Sequence, residues 1–202
     1  MTRLKILQED ATYSFRSYFE LPNDTDEVLA EFGYNSKKVR LQLPRTSRQI
    51  DGLPELQQQL ENTLPFVPLT SETAKREILI APILSRVAVI GQQILRIEYP
   101  LKVNNLLQGN LDYLIRAAHS LVVVEAKRDD LTRGFTQLAV EMIALSMLEA
   151  SPHLLYGVVT IGNLWIFGTL DVATRTITQD IGSYTLPDDL EDLVRILVGI
   201  LE

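Results

Sequence analysis

Between Gly109 and Leu148 the chain carries two strand patterns and one long helical pattern with almost nothing between them. Residues 109–116 and 121–127 are apolar runs of strand length, and the short step at Ala118 and His119 suits a hairpin turn. Leu131, Phe135, Leu138, Met142, Leu145 and Leu148 then recur at helical spacing. A hairpin that feeds straight into such a helix restricts the fold sharply. A strand pattern over 93–101 precedes it, so three consecutive strands with short links are expected to form an antiparallel meander. The helix must then cross over to the strand patterns at 154–161 and 164–170, which flank the turn dipeptide Gly162-Asn163. A further strand is expected over 173–181. The closing helix, 187–201, has Asp188, Asp189, Glu191 and Asp192 at its positive end.

A helix capped by Ser71 opens this unit, with Ile78, Leu79, Ile83, Leu84 and Val87 on its apolar side. Pro82 is expected to kink it, because proline removes a backbone donor and clashes one turn back. Ahead of it, the prolines at 65 and 68 mark a boundary. Residues 1–69 are therefore read as a small α+β N-terminal addition, and 70–202 as the main domain. In the addition, aromatic-rich 13–21 reads as a strand, 24–32 as a helix stopped by Gly33, 39–43 as a strand and 53–64 as a helix. The fold class is α/β: a central mixed sheet flanked by helices, in the order helix, three strands, helix, strand.

The chain holds no Cys, which excludes disulfide frameworks, Cys-based zinc sites and thiol nucleophiles. Of its 202 residues 46% are hydrophobic, enough to build a core without a structural metal. No signal-like or membrane-spanning run is evident, so a cytoplasmic protein with no membrane partner is expected. The net charge of -7 and pI near 4.9 argue against a general nucleic-acid coat protein. The charge is uneven, however: nine Lys/Arg face six Asp/Glu between Lys75 and Gly134. That window allows a local anion-binding face on an acidic body.

Chemistry concentrates in Val122–Lys127, where three valines lead into Glu125, Ala126 and Lys127. Side chains alternate along a strand, so Glu125 and Lys127 share a face. If the hairpin pairs Arg116 with Leu121, Asp112 falls directly opposite Glu125. Two carboxylates at about 5 Å on a half-buried sheet repel each other. A divalent cation removes that repulsion, and an oxygen donor set suits Mg²⁺ or Mn²⁺ rather than zinc.

Asp112 followed by Glu125-Ala126-Lys127 at the end of an apolar hairpin strand resembles the PD-(D/E)xK, or restriction-endonuclease-like, nuclease superfamily. The order helix, three strands, helix, strand over residues 70–165 is similar to that family's core. Long parts of the chain also resemble uncharacterised bacterial nuclease-like proteins. Leu111 stands where the name-giving motif has Pro. The resemblance implies that Asp112, Glu125 and the Ala126 carbonyl bind Mg²⁺ (or Mn²⁺), and that Lys127 orients or deprotonates a water. It implies a Glu on the opening helix, for which Glu77 fits best and Glu72 competes. It implies a Gln on the next helix, fitted by Gln137, which would orient Lys127 or the water. The expected activity is metal-dependent hydrolysis of phosphodiester bonds in DNA, with a homodimer possible through the closing helix. The alternative is a catalytically inactive module of the same fold that binds nucleic acid or protein.

Each of these residues also has a plainer reading. Gln137 lies four residues from both Arg133 and Glu141, a stripe that could face water. Arg128 and Arg133 could touch phosphates or pair with Asp129 and Asp130. His119 and His153 have no triad partner and read as structural. Trp165 and Phe167 read as core or dimer packing rather than base-stacking residues.

Overall fold

The computed structural model describes residues 5–8, 10–117, 121–126, 130–148 and 153–202, with 121–126 described as backbone. The elements in chain order are α1 (Phe15–Glu20), α2 (Thr25–Glu31), β1 (Asn35–Val39), α3 (Leu53–Thr63), a 3₁₀ turn (Leu64–Phe66) and α4 (Glu72–Lys75). A π-helical turn (Arg76–Ile80), α5 (Ala81–Gly91), β2 (Leu95–Lys102), β3 (Gln108–Arg116), β4 (Leu121–Ala126) and α6 (Leu131–Leu148) follow. The chain closes with β5 (Leu154–Thr160), β6 (Leu164–Asp171), β7 (Thr176–Asp180), β8 (Tyr184–Thr185) and α7 (Leu190–Leu201).

One mixed sheet holds every described strand, in the order β1-β7-β6-β5-β4-β3-β2, with β8 against β6. Strands β2, β3 and β4 form the expected antiparallel meander. Helix α6 then carries the chain over to β5, which lies parallel to β4. Strands β5, β6 and β7 make a second meander, and β1 closes it in parallel with β7. The architecture is α/β, a mixed sheet flanked by helices. The segment read as an N-terminal addition supplies β1 to this same sheet, and Phe15, Tyr18, Val28 and Leu29 to a core shared with α6.

Side-chain alternation splits the core in two. On one face Val158, Trp165 and Phe167 pack with α3, α5 and α7; on the other Leu155, Val159 and Leu170 pack with α6, α1 and α2. Trp165 and Phe167 are fully buried, as core residues. The apolar side of α7 is spent inside: Leu193, Val194, Ile196, Leu197, Val198, Ile200 and Leu201 are all buried. That corrects the expectation that this helix offers a dimer surface. Gly157 and Gly168 form a cross-strand pair beneath α6. A Cβ on Gly168 would stand 2.6 Å from Phe135 Cε2, so the bare backbone lets the helix settle close.

Three local readings change. Residues 13–21 are not a strand; 15–20 form α1, because Phe15, Tyr18 and Phe19 sit at helical spacing and Ser14 N–H is held by Ser17 Oγ at 3.1 Å. The strand expected at 39–43 lies at 35–39 instead, and beyond it the Leu41 N–H donates to Asp180 Oδ1 at 3.2 Å. Ahead of Pro82 the helix forms a π turn, which accommodates the irregular stretch around the missing donor. The Ser71 cap is present, its Oγ accepting the Ala74 N–H at 3.1 Å. The hairpin turn at Ala118 and His119 lies outside the described residues. Among the described residues no helix is long and apolar enough to cross a membrane.

Tyr18 ties α1 down by donating its phenol to the Leu106 carbonyl, and it is 1% exposed. Burial, reinforced by Tyr13 beside it, pushes the phenol pKa well above its ordinary value. The unfolded chain ionises Tyr18 near pH 10, while the folded protein keeps the proton, so above about pH 10 the unfolded state binds fewer protons. Stability is therefore expected to be unaffected by this group below about pH 10 and to fall as pH rises beyond it. Urea midpoints at stepped alkaline pH should show a drop that flattens in Tyr18→Phe. An equal drop in that variant would assign the loss to another group.

Candidate functional site

The β3–β4 register is Tyr113 with Val124, Leu114 with Val123, Ile115 with Val122 and Arg116 with Leu121, the pairing expected from the sequence. One further step along both strands brings position 112 level with position 125. On the other side β2 pairs Ile97 with Tyr113 and Tyr99 with Leu111, which brings Glu98 level with Asp112. Three acidic residues therefore occupy one row across three neighbouring strands. Lys127 and Arg128 lie outside the described residues, as does the side chain of Glu125. Ala126 ends β4, paired with Thr160 of β5.

Asp112 lines a cavity of about 770 Å³. Its other described walls are Ser14, Phe15, Arg16, Phe19 and Glu20 of α1 and its cap, Glu72 at the start of α4, Gly109 and Asn110 of β3, Asp130, and Gln137 of α6. The cavity thus gathers carboxylates from four separate elements. Gly109 makes the close approach possible: its φ is +145° and a Cβ would sit 2.9 Å from Phe15 Cδ2.

Glu77 is not in this cavity. It lines a separate depression of about 540 Å³ with Gln59, Pro82 and Arg86. Glu72, by contrast, lines the cavity that holds Asp112. Of the two candidates for the helix carboxylate, Glu72 shares the cavity with Asp112 and Glu77 does not.

Gln137 is 4% exposed, so the stripe it shares with Glu141, itself fully buried, does not face water. Residues 134–145 of α6 are buried without interruption, because α1 and α2 cover the side away from the sheet. Gln137 Nε2 donates to Glu141 Oε1 at 2.9 Å. Its Oε1 is buried and has no hydrogen-bond partner among the described residues. A buried acceptor left unsatisfied costs about 1–3 kcal/mol, so its presence beside the cavity points to a group it would receive there. Arg133 is exposed and takes the plainer role, pairing with Asp130 at 3.5 Å; Asp130 also caps α6 by accepting the Arg133 N–H at 2.9 Å.

Arg76, in the π turn, stands next to Asp112. Its guanidinium lies 5.3 Å over the Tyr113 ring and its Nη1 is 3.7 Å from Glu98 Oε1. Burial pulls its pKa down, but the hydrogen bond with Tyr113 and the charges of Asp112 and Glu98 outweigh that and hold it above the usual value. Glu98 itself has φ +50°, a left-handed conformation inside a strand. At this row the strands turn over: Leu95 and Tyr113 belong to one core, Tyr99, Leu101 and Leu111 to the other. Left-handed backbone costs a non-glycine residue about 1–2 kcal/mol, and such strain concentrates at functional sites. Glu98→Val is expected to destabilise by roughly 2 kcal/mol, since a β-branched residue tolerates this region worst. Glu98→Gly is expected to be neutral or better, although it gives up an exposed ion pair. Urea midpoints check both, and equal losses would remove the strain.

The Asp112 and Glu72 carboxylates line one cavity with the Gln137 amide oxygen, an all-oxygen lining of the chemistry that hard divalent cations take. Among the described residues no three acidic or His side chains converge to hold a metal by themselves. The α1 wall and Glu98 escaped the sequence reading; the helical spacing of Phe15, Tyr18 and Phe19 was the available signal for the first, and the second carries none. No protein-family model matches the chain, and no curated protein matches it.

Proposed function

We propose that the protein is a Mg²⁺- or Mn²⁺-dependent nuclease that hydrolyses phosphodiester bonds in DNA, built on a restriction-endonuclease-like core. The observation that carries this reading is Asp112 in a carboxylate-lined cavity, level with position 125 and beside the Gln137 amide oxygen, which has no partner among the described residues. Asp112, Glu125 and the Ala126 carbonyl would hold the cation, with Glu72 holding its water shell. A bound divalent ion supplies Lewis-acid polarisation of a phosphoryl oxygen and acidifies water. Lys127 orients the attacking water and steadies the charge that develops on the phosphate. Gln137 Oε1 accepts a hydrogen bond from that water or from Lys127. Water adds to phosphorus, the ester bond breaks, and the departing oxygen takes up a proton.

The test is to titrate Mg²⁺ and Mn²⁺ against plasmid and single-stranded DNA, with Lys127→Ala alongside and metal binding followed by calorimetry. Metal-dependent nicking that disappears in the variant is expected. Metal binding without nicking would leave the inactive binding module, and cleavage that persists in the variant would mark a contaminant.

A further inference from the structure

We propose that the strand admitted to the Asp112 cavity is single-stranded DNA, and that α1 is the wall that keeps an intact duplex out; the inference rests on the nuclease reading of that cavity. About 770 Å³ is the size of a small-molecule pocket, room for one or two nucleotides rather than a groove for a double helix. The wall is fixed in place. Phe15 and Tyr18 are each 1% exposed, and Ser14 bridges to Gln108 at the start of β3. Tyr13 N–H donates to the Asn105 carbonyl at 2.8 Å, and the Tyr18 phenol to that of Leu106. These three attachments to the β2–β3 connection and β3 hold α1 in place. An enzyme that reaches into a duplex from behind such a wall must first extrude a nucleotide, at a cost that an unpaired strand does not carry.

The inner surface of α1 matches the same substrate. Arg16, Phe19 and Glu20, at i, i+3 and i+4, all line the cavity. Phe19 offers a half-buried aromatic ring, and stacking on such a ring is indifferent to base identity. Arg16 is paired with Glu20 at 3.4 Å, with both side chains largely exposed. A pair this exposed is weak and exchanges readily for a phosphate. An aromatic and a cation on one helix face is the pairing that single-strand binding uses.

The experiment reads binding apart from cleavage. Fluorescence anisotropy with Ca²⁺, another oxygen-ligated divalent ion, compares one labelled oligonucleotide as a single strand, as a blunt duplex, and as a duplex with a central unpaired bubble. Cleavage of the same three is then followed with Mg²⁺. The single strand and the bubble are expected to bind at least tenfold tighter than the duplex, with cuts confined to unpaired segments. Phe19→Ala is expected to weaken single-strand binding about tenfold. Arg16→Ala, at a largely exposed site, is expected to weaken it several-fold without changing the melting temperature. Equal binding and cleavage of the blunt duplex would overturn the proposal and leave the nuclease reading standing. Preferential single-strand binding without cleavage would keep the strand preference and end the nuclease reading. Binding of none of the three would end the proposal.

Discussion

Replacing Asp112 with Asn is expected to lower metal-dependent DNA cleavage by at least about a thousandfold, roughly 4 kcal/mol of transition-state stabilisation. The substitution keeps the shape and removes one negative charge from the cavity. The melting temperature should hardly change, because Asp112 is half-buried and Arg76 retains its contacts with Glu98 and Tyr113. The companion variants make the result specific. Glu72→Gln, in the same cavity, should lose tenfold or more, as expected for a group that holds a metal's waters. Glu77→Gln, in the other depression, should retain full activity. Single-turnover rates at saturating Mg²⁺ check all three. An Asp112→Asn protein that cuts at the native rate would remove the proposed centre.

The largest expected effect on stability is at Trp165, the chain's single tryptophan. It is fully buried among residues of α5, α7 and β5, and its Nε1–H donates to the Gly162 carbonyl at 2.7 Å. Trp165→Ala is expected to cost about 3–5 kcal/mol, from lost burial and the cavity left behind. Folding free energies are typically about 5–15 kcal/mol, so much of the protein's stability goes with that one side chain. Trp165→Phe retains the ring bulk and forfeits the N–H, for a loss of about 1–2 kcal/mol. Urea unfolding followed by far-ultraviolet circular dichroism measures both, since each variant lacks the fluorophore. A midpoint in Trp165→Ala close to the native one would contradict this core.

Much of the central sheet was legible because its strands announce themselves locally. Apolar runs of strand length, a short turn and an uninterrupted helical pattern sufficed for β3, β4 and α6, and the inferred pairing of Arg116 with Leu121 is the one observed. The row that joins positions 112 and 125 follows from that pairing. What escaped depends on contacts remote in sequence. The stretch around Phe15 is rich in aromatics, which favour strands in isolation, yet it packs as a helix on α6. Gln137 and Glu141 look like a solvated stripe until α1 and α2 are placed over them. Glu77 and Glu72 are equally polar residues five positions apart, and only the folded chain puts them in different depressions. Glu98 gives no hint of its left-handed backbone, because nothing about a glutamate in an alternating strand asks for it.

The way α1, α2 and β1 are built in has a practical consequence. Shortening the chain to begin near Thr70, as the two prolines invite, would strip the cover from α6 and bare Ala139, Val140 and Ile143 to water. It would also unpair the outer edge of β7 and leave a ladder of unmet amides and carbonyls. Such a trimmed protein would be a sticky fragment rather than a minimal domain, since what reads as an addition is the lid of its own interior.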